Sequence, residues 1–212
     1  MASYHIPVLL KETVAALNLQ PNKIIVDGTL GGGGHSIEIL RSCPEIKLYS
    51  FDQDLDAIKH AQYLQDEYPE QITIIHDNFV NMRTRLALER VKRVDGILLD
   101  LGVSSFQIDE AAKGFSYMRE GKLDMRMDQS HKVDAALVVN SYPENELIRI
   151  FREYGEERES FRVARAICRE REIKAIETTL ELSVIVDKAV KSHRKIKARS
   201  RIFQALRIEV NS

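Results

Sequence analysis

Short apolar runs alternate with helical spacing of apolar residues in the first half of the chain. The runs that predict β-strands lie at residues 24–26, 48–51, 72–75 and 97–99. Helical patterns at residues 36–40 and 55–64 separate the first three runs. Strands that alternate with helices favour a parallel sheet with helices on both faces, and such sheets bind ligands at the carboxyl ends of their strands.

The second half of the chain has a different pattern. Residues 106–133 are irregular and rich in charged and turn-forming residues, which is typical of an active-site loop. Apolar residues at helical spacing then predict helices at 144–154, 158–171, 180–190 and 202–210. Thr178 or Thr179 is a candidate N-cap for the third of these helices. An α/β half is therefore expected to precede a helical half.

The charge of the chain is nearly balanced overall but not locally. A net charge of -1 argues against nucleic-acid binding through overall charge, so any such binding requires a local patch. Residues 188–201 contain no acidic residue and carry the basic side chains Lys188, Lys191, Arg194, Lys195, Lys197, Arg199 and Arg201. This basic stretch is predicted to hold phosphates, with a solvated helix face as the alternative.

Other sequence features bear on compartment and cofactors. No apolar run approaches the roughly 20 residues needed to span a bilayer, and the first residues lack the basic region of a signal peptide. Cys43 and Cys168 are far apart and have no partner residues at metal-ligand spacing. We therefore expect a soluble, cytosolic protein without a disulfide, a metal site or a membrane contact.

A glycine-rich loop follows the first predicted strand and has the sequence DGTLGGGGH at residues 27–35. Four consecutive glycines exceed the needs of a tight turn, and backbone N–H groups before a helix can approach a ligand closely. The dinucleotide pattern G-x-G-x-x-G is not met, because Ser36 and Ile37 occupy the positions of its third glycine. The loop thus favours a nucleotide-like ligand and disfavours a dehydrogenase.

Three further residues at strand ends are candidates for the same site. Asp52 lies roughly 20 residues beyond the loop, where a carboxylate accepts both ribose hydroxyls of an adenosine cofactor, with Asp54 nearby as a surface alternative. Phe79 follows the third strand and is suited to pack on an adenine ring or in the core. Asp100 ends the fourth strand and is expected at the same edge.

Seven strings occur in order along the chain: HIPVL at 5–9, DGTLGGGGH at 27–35, DGILLDLGVSS at 95–105, GFS at 114–116, LDMRMD at 123–128, YGEER at 154–158 and FQALRIEVN at 203–211. Together they resemble the MraW/RsmH family, bacterial methyltransferases that act on the N4 amino group of a cytosine in 16S ribosomal RNA. The resemblance implies that the substrate is 16S ribosomal RNA, near its decoding site and within the small ribosomal subunit.

The resemblance implies a class I, Rossmann-like S-adenosylmethionine-dependent methyltransferase fold with a helical insertion domain. Residues 1–108 would form the cofactor-binding domain with the first four strands, 109–200 the loop and helical domain for RNA recognition, and 201–212 the start of a helix that returns to the first domain. Compared with the family, the chain is expected to be truncated at its C terminus and to lack the last strands of the sheet. An unpaired sheet edge is the expected result.

By motif matching, the resemblance implies that S-adenosylmethionine is bound by Gly33, Gly34, His35, Asp52, Phe79, Asp100 and Gln107. Gln107 rests on the resemblance alone. Asp100 is also the candidate catalytic residue, with a backbone carbonyl beside it as the alternative, because an acceptor for the amino protons of cytosine would direct the N4 lone pair at the methyl group. Many amino-methyltransferases have Pro-Pro and an aromatic residue after this position, whereas this chain has Leu-Gly-Val at 101–103.

Two sets of residues are candidates for substrate contacts. The LDMRMD string predicts either an exposed strand with one buried face or a polar side that holds a base edge or a fixed ion pair. Phe106, Phe115 and Tyr117 are candidates to stack on an extruded base, with core packing as the alternative.

Departures from the family support a second hypothesis. Family members carry a His-Pro pair and threonines before the FQA string, whereas residues 196–202 read IKARSRI. Together with the missing C-terminal strands, this difference supports a catalytically inactive, truncated RNA-binding remnant as the alternative. A methyltransferase of small molecules or proteins is a third reading, which the basic helical half disfavours.

Overall fold

The computed structural model describes Pro7 and residues 9–212, except for the side chains of Ser105, Phe106 and Ser192. The chain forms two compact units, Met1–Ser105 and Phe106–Ser212. Most of the HIPVL string and the side chain of Phe106 lie outside the described residues. The boundaries expected at residues 108 and 200 stay predictions.

Four parallel strands form the sheet of the first unit, in the order β3-β2-β1-β4. They are β1 (Ile24–Asp27), β2 (Lys47–Asp52), β3 (Ile72–His76) and β4 (Gly96–Leu98). The register pairs Val26 with both Tyr49 and Ile97, so β1 is an inner strand. This arrangement confirms the predicted strands and the Rossmann-like class. The strand order reverses beside β1, where doubly wound sheets bind their ligands.

Helices cover both faces of this sheet: α1 (Leu10–Ala16), α2 (Gly34–Ser42), α3 (Leu55–Glu67) and α4 (Met82–Leu88). Ile25 packs in one core with Leu64 of α3, while its neighbour Val26 packs in the opposite core with Leu86 of α4. Successive side chains of a strand point to opposite faces, so β1 contributes to both cores. Its end is therefore held firmly in the middle of the unit.

One edge of the sheet is apolar and exposed. β4 pairs only with β1 in the part of the chain that the structure describes. Ile97 of β4 and Leu101, three residues beyond its end, are 47% and 69% exposed. The unpaired edge expected from the sequence is thus confirmed within the described residues.

The second unit is helical, with α5 (Ser105–Asp109), α6 (Ala135–Ser141), α7 (Glu144–Glu153), α8 (Ser160–Ile173), α9 (Thr179–Ala189) and α10 (Lys195–Asn211). α10 packs against α6, α7 and α9 and buries Ile202, Phe203 and Leu206. Thr178 is the N-cap of α9, in a reciprocal capping box with Glu181. The four predicted helices are confirmed, although α10 begins earlier than the pattern indicated.

The LDMRMD string is not a strand but an irregular segment fixed by an ion pair. Arg126 donates from Nε to Oδ1 of Asp124 at 2.8 Å and from Nη2 to Oδ2 at 2.7 Å. Burial raises the pKa of the Asp124 carboxyl, but the hydrogen bonds from Arg126 outweigh burial and leave that pKa below its ordinary value. Asn211 of α10 holds the same segment by accepting from the Met127 amide and donating to the Met125 carbonyl. The fixed ion pair is therefore observed and the exposed strand is wrong, while a contact with a base edge stays a prediction.

We predict that Gly155→Ala destabilises the second unit. A Cβ at Gly155 would lie 2.6 Å from the carbonyl oxygen of Arg201 and 2.8 Å from that of Phe151, so α7 and α10 would have to separate. Overpacking of this kind lowers the free energy of unfolding by about 1–3 kcal/mol, measurable by urea denaturation. Lys197→Ala, at an exposed position of α10, is the control and should change it by less than about 0.5 kcal/mol. Unchanged stability of Gly155→Ala would contradict this close approach.

Candidate functional site

The carboxyl ends of β1, β2 and β4 bring three aspartates into one part of the first unit. Asp27 and Asp52 are the last residues of β1 and β2, and Asp100 follows β4. Besides burial, which is the main cause, the negative charge of Asp27 contributes to the raised pKa of Asp52, and that of Asp100 contributes to the raised pKa of Asp27. The acidic residues predicted at the strand ends therefore converge at the edge where a doubly wound sheet binds ligands.

Asp52 is held between the glycine-rich loop and the start of α3. Its Oδ2 accepts from the Gly31 amide at 2.8 Å, and its Oδ1 accepts from the Asp54 amide at 2.8 Å. Burial raises the pKa of Asp52 to about 6, although both hydrogen bonds oppose this rise. Each carboxylate oxygen has a further lone pair, so this fixed group is able to accept two ligand hydroxyls. Asp54 instead caps α3 by accepting from the Asp56 amide.

The glycines of the loop are required by backbone geometry and by packing. Gly33, the N-cap of α2, has a left-handed φ of 78°, and a Cβ there would lie 2.8 Å from Cδ1 of Leu64. A Cβ at Gly34 would lie 2.5 Å from Cγ of Pro7. The fold alone therefore explains glycine at both positions, and their contact with a cofactor stays a prediction.

His35 lies at the start of α2 with one ring nitrogen near Asp100 and the other unpaired. Nδ1 lies 3.9 Å from Oδ2 of Asp100, whose side chain is 58% exposed. Nε2 is buried and has no hydrogen-bond partner among the described residues. An unsatisfied buried polar atom costs about 1–3 kcal/mol, and a polar ligand group at this position would remove the cost. This observation shows that the residues fit a polar cofactor here.

Thr29 connects two of the strand ends, although the sequence analysis did not select it. Its amide donates to Oδ1 of Asp27 at 3.1 Å, and its Oγ1 accepts from the Asp100 amide at 2.7 Å. Oδ2 of Asp27 accepts from the Ser36 hydroxyl, which also meets the hydroxyl of Ser50. An aspartate followed two residues later by threonine at a strand end is the signal of an Asx turn, and it could have identified Thr29.

Phe79 and Gln107 lie in different units. Phe79 begins a 3₁₀ turn, Phe79–Asn81, and is half-buried. Its Cβ is 3.1 Å from the point where a Cβ on Gly28 would lie, so Phe79 borders the glycine-rich loop. Gln107 belongs to the second unit, where its side chain is buried. Its role as a cofactor ligand stays a prediction.

The basic stretch at residues 188–201 is partly neutralised in the folded chain. Three of its arginines pair with carboxylates from outside the stretch: Arg194 with Glu159 at 3.6 Å, Arg199 with Asp187 at 3.3 Å and Arg201 with Glu157 at 3.8 Å. Helix packing brings these acidic residues beside the stretch, which its own sequence could not show. Lys188, Lys191 and Lys197 are exposed and remain candidates for phosphate contacts.

The two described aromatic candidates for base stacking have different environments. Phe115 is fully buried, so core packing is the correct alternative for it. Tyr117 is half-buried, with its ring centroid 5.6 Å from that of Phe203 and 5.4 Å from the guanidinium carbon of Arg199. Tyr117 therefore remains a candidate.

Two further kinds of feature bear on metal binding and membrane contact. Among the described residues, no cluster of three or more His, Cys, Asp or Glu side chains is arranged to hold a metal ion. Within the same residues, no helix has the length and apolar character needed to cross a membrane.

Comparison with known proteins shows extensive similarity. A sequence model described as the MraW methylase family matches residues 2–212. A ribosomal RNA small subunit methyltransferase H of Carboxydothermus hydrogenoformans is 49% identical over 209 residues, covering 98% of this chain and 67% of the relative. Proteins of the same name are 45% identical in Finegoldia magna, covering 98% and 68%, and 49% identical in Lactiplantibacillus plantarum, covering 100% and 69%. The chain spans about two thirds of the length of these relatives.

We predict that the Thr29 hydroxyl protects the amide of Asp100. Thr29→Val keeps the side-chain shape but removes the acceptor, whereas Thr29→Ser keeps the hydroxyl. A hydrogen bond with a net value of about 1 kcal/mol corresponds to roughly fivefold faster exchange of the Asp100 amide in the valine variant. Hydrogen–deuterium exchange measures this rate, and the serine variant should match the wild type. Equal protection of Asp100 in all three proteins would contradict the proposed link.

Proposed function

Since the chain belongs to the MraW methylase family, we propose that it transfers a methyl group from S-adenosylmethionine to RNA. The proposed target is the N4 amino group of a cytidine near the decoding site of 16S ribosomal RNA, within the small ribosomal subunit and in the cytoplasm. The names of the relatives support ribosomal RNA as the substrate class. The observation that carries the proposal is the fixed carboxylate of Asp52 beside the glycine-rich loop.

The proposed cofactor contacts follow from the groups that the first unit presents. Asp52 accepts the ribose hydroxyls, because both of its oxygens are fixed and keep free lone pairs. Phe79, half-buried beside the loop, packs on the adenine ring. The loop backbone at Gly33 and Gly34 lies against the cofactor, and Nε2 of His35 forms the polar contact that it lacks within the described residues.

The proposed chemistry depends on orientation of the target amine. S-adenosylmethionine supplies an electrophilic methyl group bound to a positively charged sulfur. The N4 lone pair of cytosine is conjugated with its ring, so an acceptor that hydrogen-bonds an amino proton favours the geometry in which the lone pair is available. Asp100 is the proposed acceptor, since its carboxylate is exposed, its amide is held by Thr29 and His35 lies 3.9 Å away.

A catalytically inactive, RNA-binding remnant is the second candidate function. The observation that favours it is the uncovered apolar edge at β4, where Ile97 and Leu101 are exposed. Exposed apolar sheet edges promote association with other chains, which is suited to a binding protein.

Transfer of labelled methyl groups distinguishes the two candidates. The purified chain is incubated with labelled S-adenosylmethionine and small ribosomal subunits that lack the modification, and the RNA is digested to nucleosides for mass analysis. The proposed function predicts label on N4 of cytidine and a turnover about 100-fold lower in Asp100→Ala, which removes the acceptor. A folded chain that binds these subunits but transfers no label would support the inactive remnant.

We predict that cofactor affinity depends on ionisation of Asp52. Its pKa is raised to about 6 by burial, so a proton occupies the carboxyl below that pH and competes with the ribose hydroxyls. The affinity for S-adenosylmethionine should be constant above about pH 7 and should fall about tenfold per pH unit below the pKa. Isothermal titration calorimetry measures the affinity for S-adenosylmethionine in both pH ranges.

Two variants test this assignment. Asp52→Asn removes the charge and should weaken binding at neutral pH and flatten the pH profile. Asp66→Asn, at an exposed position of α3, is the matched control and should retain the wild-type profile. Wild-type affinity in Asp52→Asn would show that the ribose lies elsewhere.

A further inference from the structure

Arg207 of α10 has an unusual environment among the arginines of the second unit that are not fully exposed. Most of these arginines pair with a carboxylate: Arg126 with Asp124, Arg149 with Glu146, Arg194 with Glu159, Arg199 with Asp187 and Arg201 with Glu157. Arg171 has no such pair but donates to two carbonyl oxygens, those of Val139 and Tyr142. Among the described residues, Arg207 donates to a single oxygen, the Phe115 carbonyl, at 3.1 Å.

The positive charge of Arg207 is therefore uncompensated as well as partly buried. Burial removes part of the hydration of its guanidinium, which lowers the pKa of that group below the ordinary value. A guanidinium has five N–H donors in a planar fork, and here one of them is used within the described residues. Charges removed from water are unfavourable unless they are paired, so an anion bound at Arg207 would stabilise this arrangement.

The surroundings of Arg207 are aromatic as well as basic. Arg199, Phe203 and Arg207 follow one another at intervals of four residues and share one face of α10. The ring of Tyr117 contacts the first two, and the Phe115 carbonyl that accepts from Arg207 lies two residues before Tyr117 in the chain. Nε of Arg199 lies 3.3 Å from Oδ1 of Asp187, so the charge of Arg199 is paired. Arg207 is the arginine on this face that has no carboxylate partner among the described residues.

We propose that Arg207 binds a phosphate group of the RNA substrate, with Tyr117 as its neighbour on the bound strand. The planar guanidinium suits two parallel hydrogen bonds to phosphate oxygens, and a partly desolvated charge strengthens them. An aromatic ring beside the phosphate matches a nucleotide better than the side chain of an acidic protein segment. The proposal rests on the proposed function and assigns its RNA contact to a residue outside the basic stretch at 188–201.

Salt-dependent RNA binding tests this assignment. The probe is unmodified small-subunit ribosomal RNA, and its affinity for the full chain is measured between about 50 and 200 mM salt. Arg207→Gln should bind about tenfold more weakly, and the slope of log affinity against log salt should fall by about one. Arg152→Gln, which removes an exposed charge from α7, is the control and should keep the wild-type slope.

A purely structural role for Arg207 predicts a different result. Loss of the Phe115 contact would lower the melting temperature but leave the salt slope unchanged, and that outcome would overturn the proposal. If the glutamine variant does not fold, the RNA affinity of Arg207→Lys is measured instead, because lysine keeps the charge but loses the planar fork of the guanidinium. A several-fold loss of RNA affinity in the lysine variant supports the proposal, whereas wild-type affinity overturns it.

Two further readouts separate this proposal from the proposed function. S-adenosylmethionine affinity should be the same in the wild type and in Arg207→Gln, because Arg207 is assigned to RNA alone. The wild-type chain could bind RNA in a way that depends on Arg207 and yet transfer no methyl group. That result would refute the proposed function and support the phosphate contact. Binding of polyglutamate that depends on Arg207 and is not displaced by ribosomal RNA would instead identify an acidic protein segment as the ligand and overturn the proposal.

Discussion

At the end of the inner strand β1, the buried carboxylate of Asp27 accepts hydrogen bonds from the Thr29 amide and the Ser36 hydroxyl. Burial raises the pKa of Asp27, and removal of its partners would leave a polar group unsatisfied in the core. The glycine-rich loop and α2 are therefore held to β1. Thr29 extends this connection to Asp100 beyond β4, so two strand ends of the candidate site depend on one buried group.

The two units use charge in different ways. In the first unit, carboxylates converge at the strand ends, and burial raises the pKa of Asp52 to about 6. Such groups bind hydroxyl-bearing ligands because they remain fixed while keeping free lone pairs. In the second unit most half-buried arginines pair with a carboxylate, whereas Arg207 donates to a single carbonyl oxygen among the described residues. This division supports a small-molecule ligand for one unit and a polyanion for the other.

The sequence predicted the elements whose patterns are local. Strands β1 to β4 and the longer helices follow from apolar spacing, and Asp52 was identified from its distance to the loop. The short helices α1, α4 and α6 were missed, because seven residues hold too little periodicity to detect. The link from Thr29 to Asp100 spans 71 residues, and the neutralisation of Arg201 by Glu157 depends on helix packing. Interactions of this kind arise only in the folded chain.

The central claim is that the strand ends of the first unit form the site for S-adenosylmethionine. A crystal structure of the chain grown with this molecule tests the claim most directly. We expect density in which the ribose hydroxyls meet the carboxylate of Asp52, the adenine packs on Phe79 and a polar group reaches Nε2 of His35. Density for the molecule at any other location, with these three residues arranged as they are here, would contradict it.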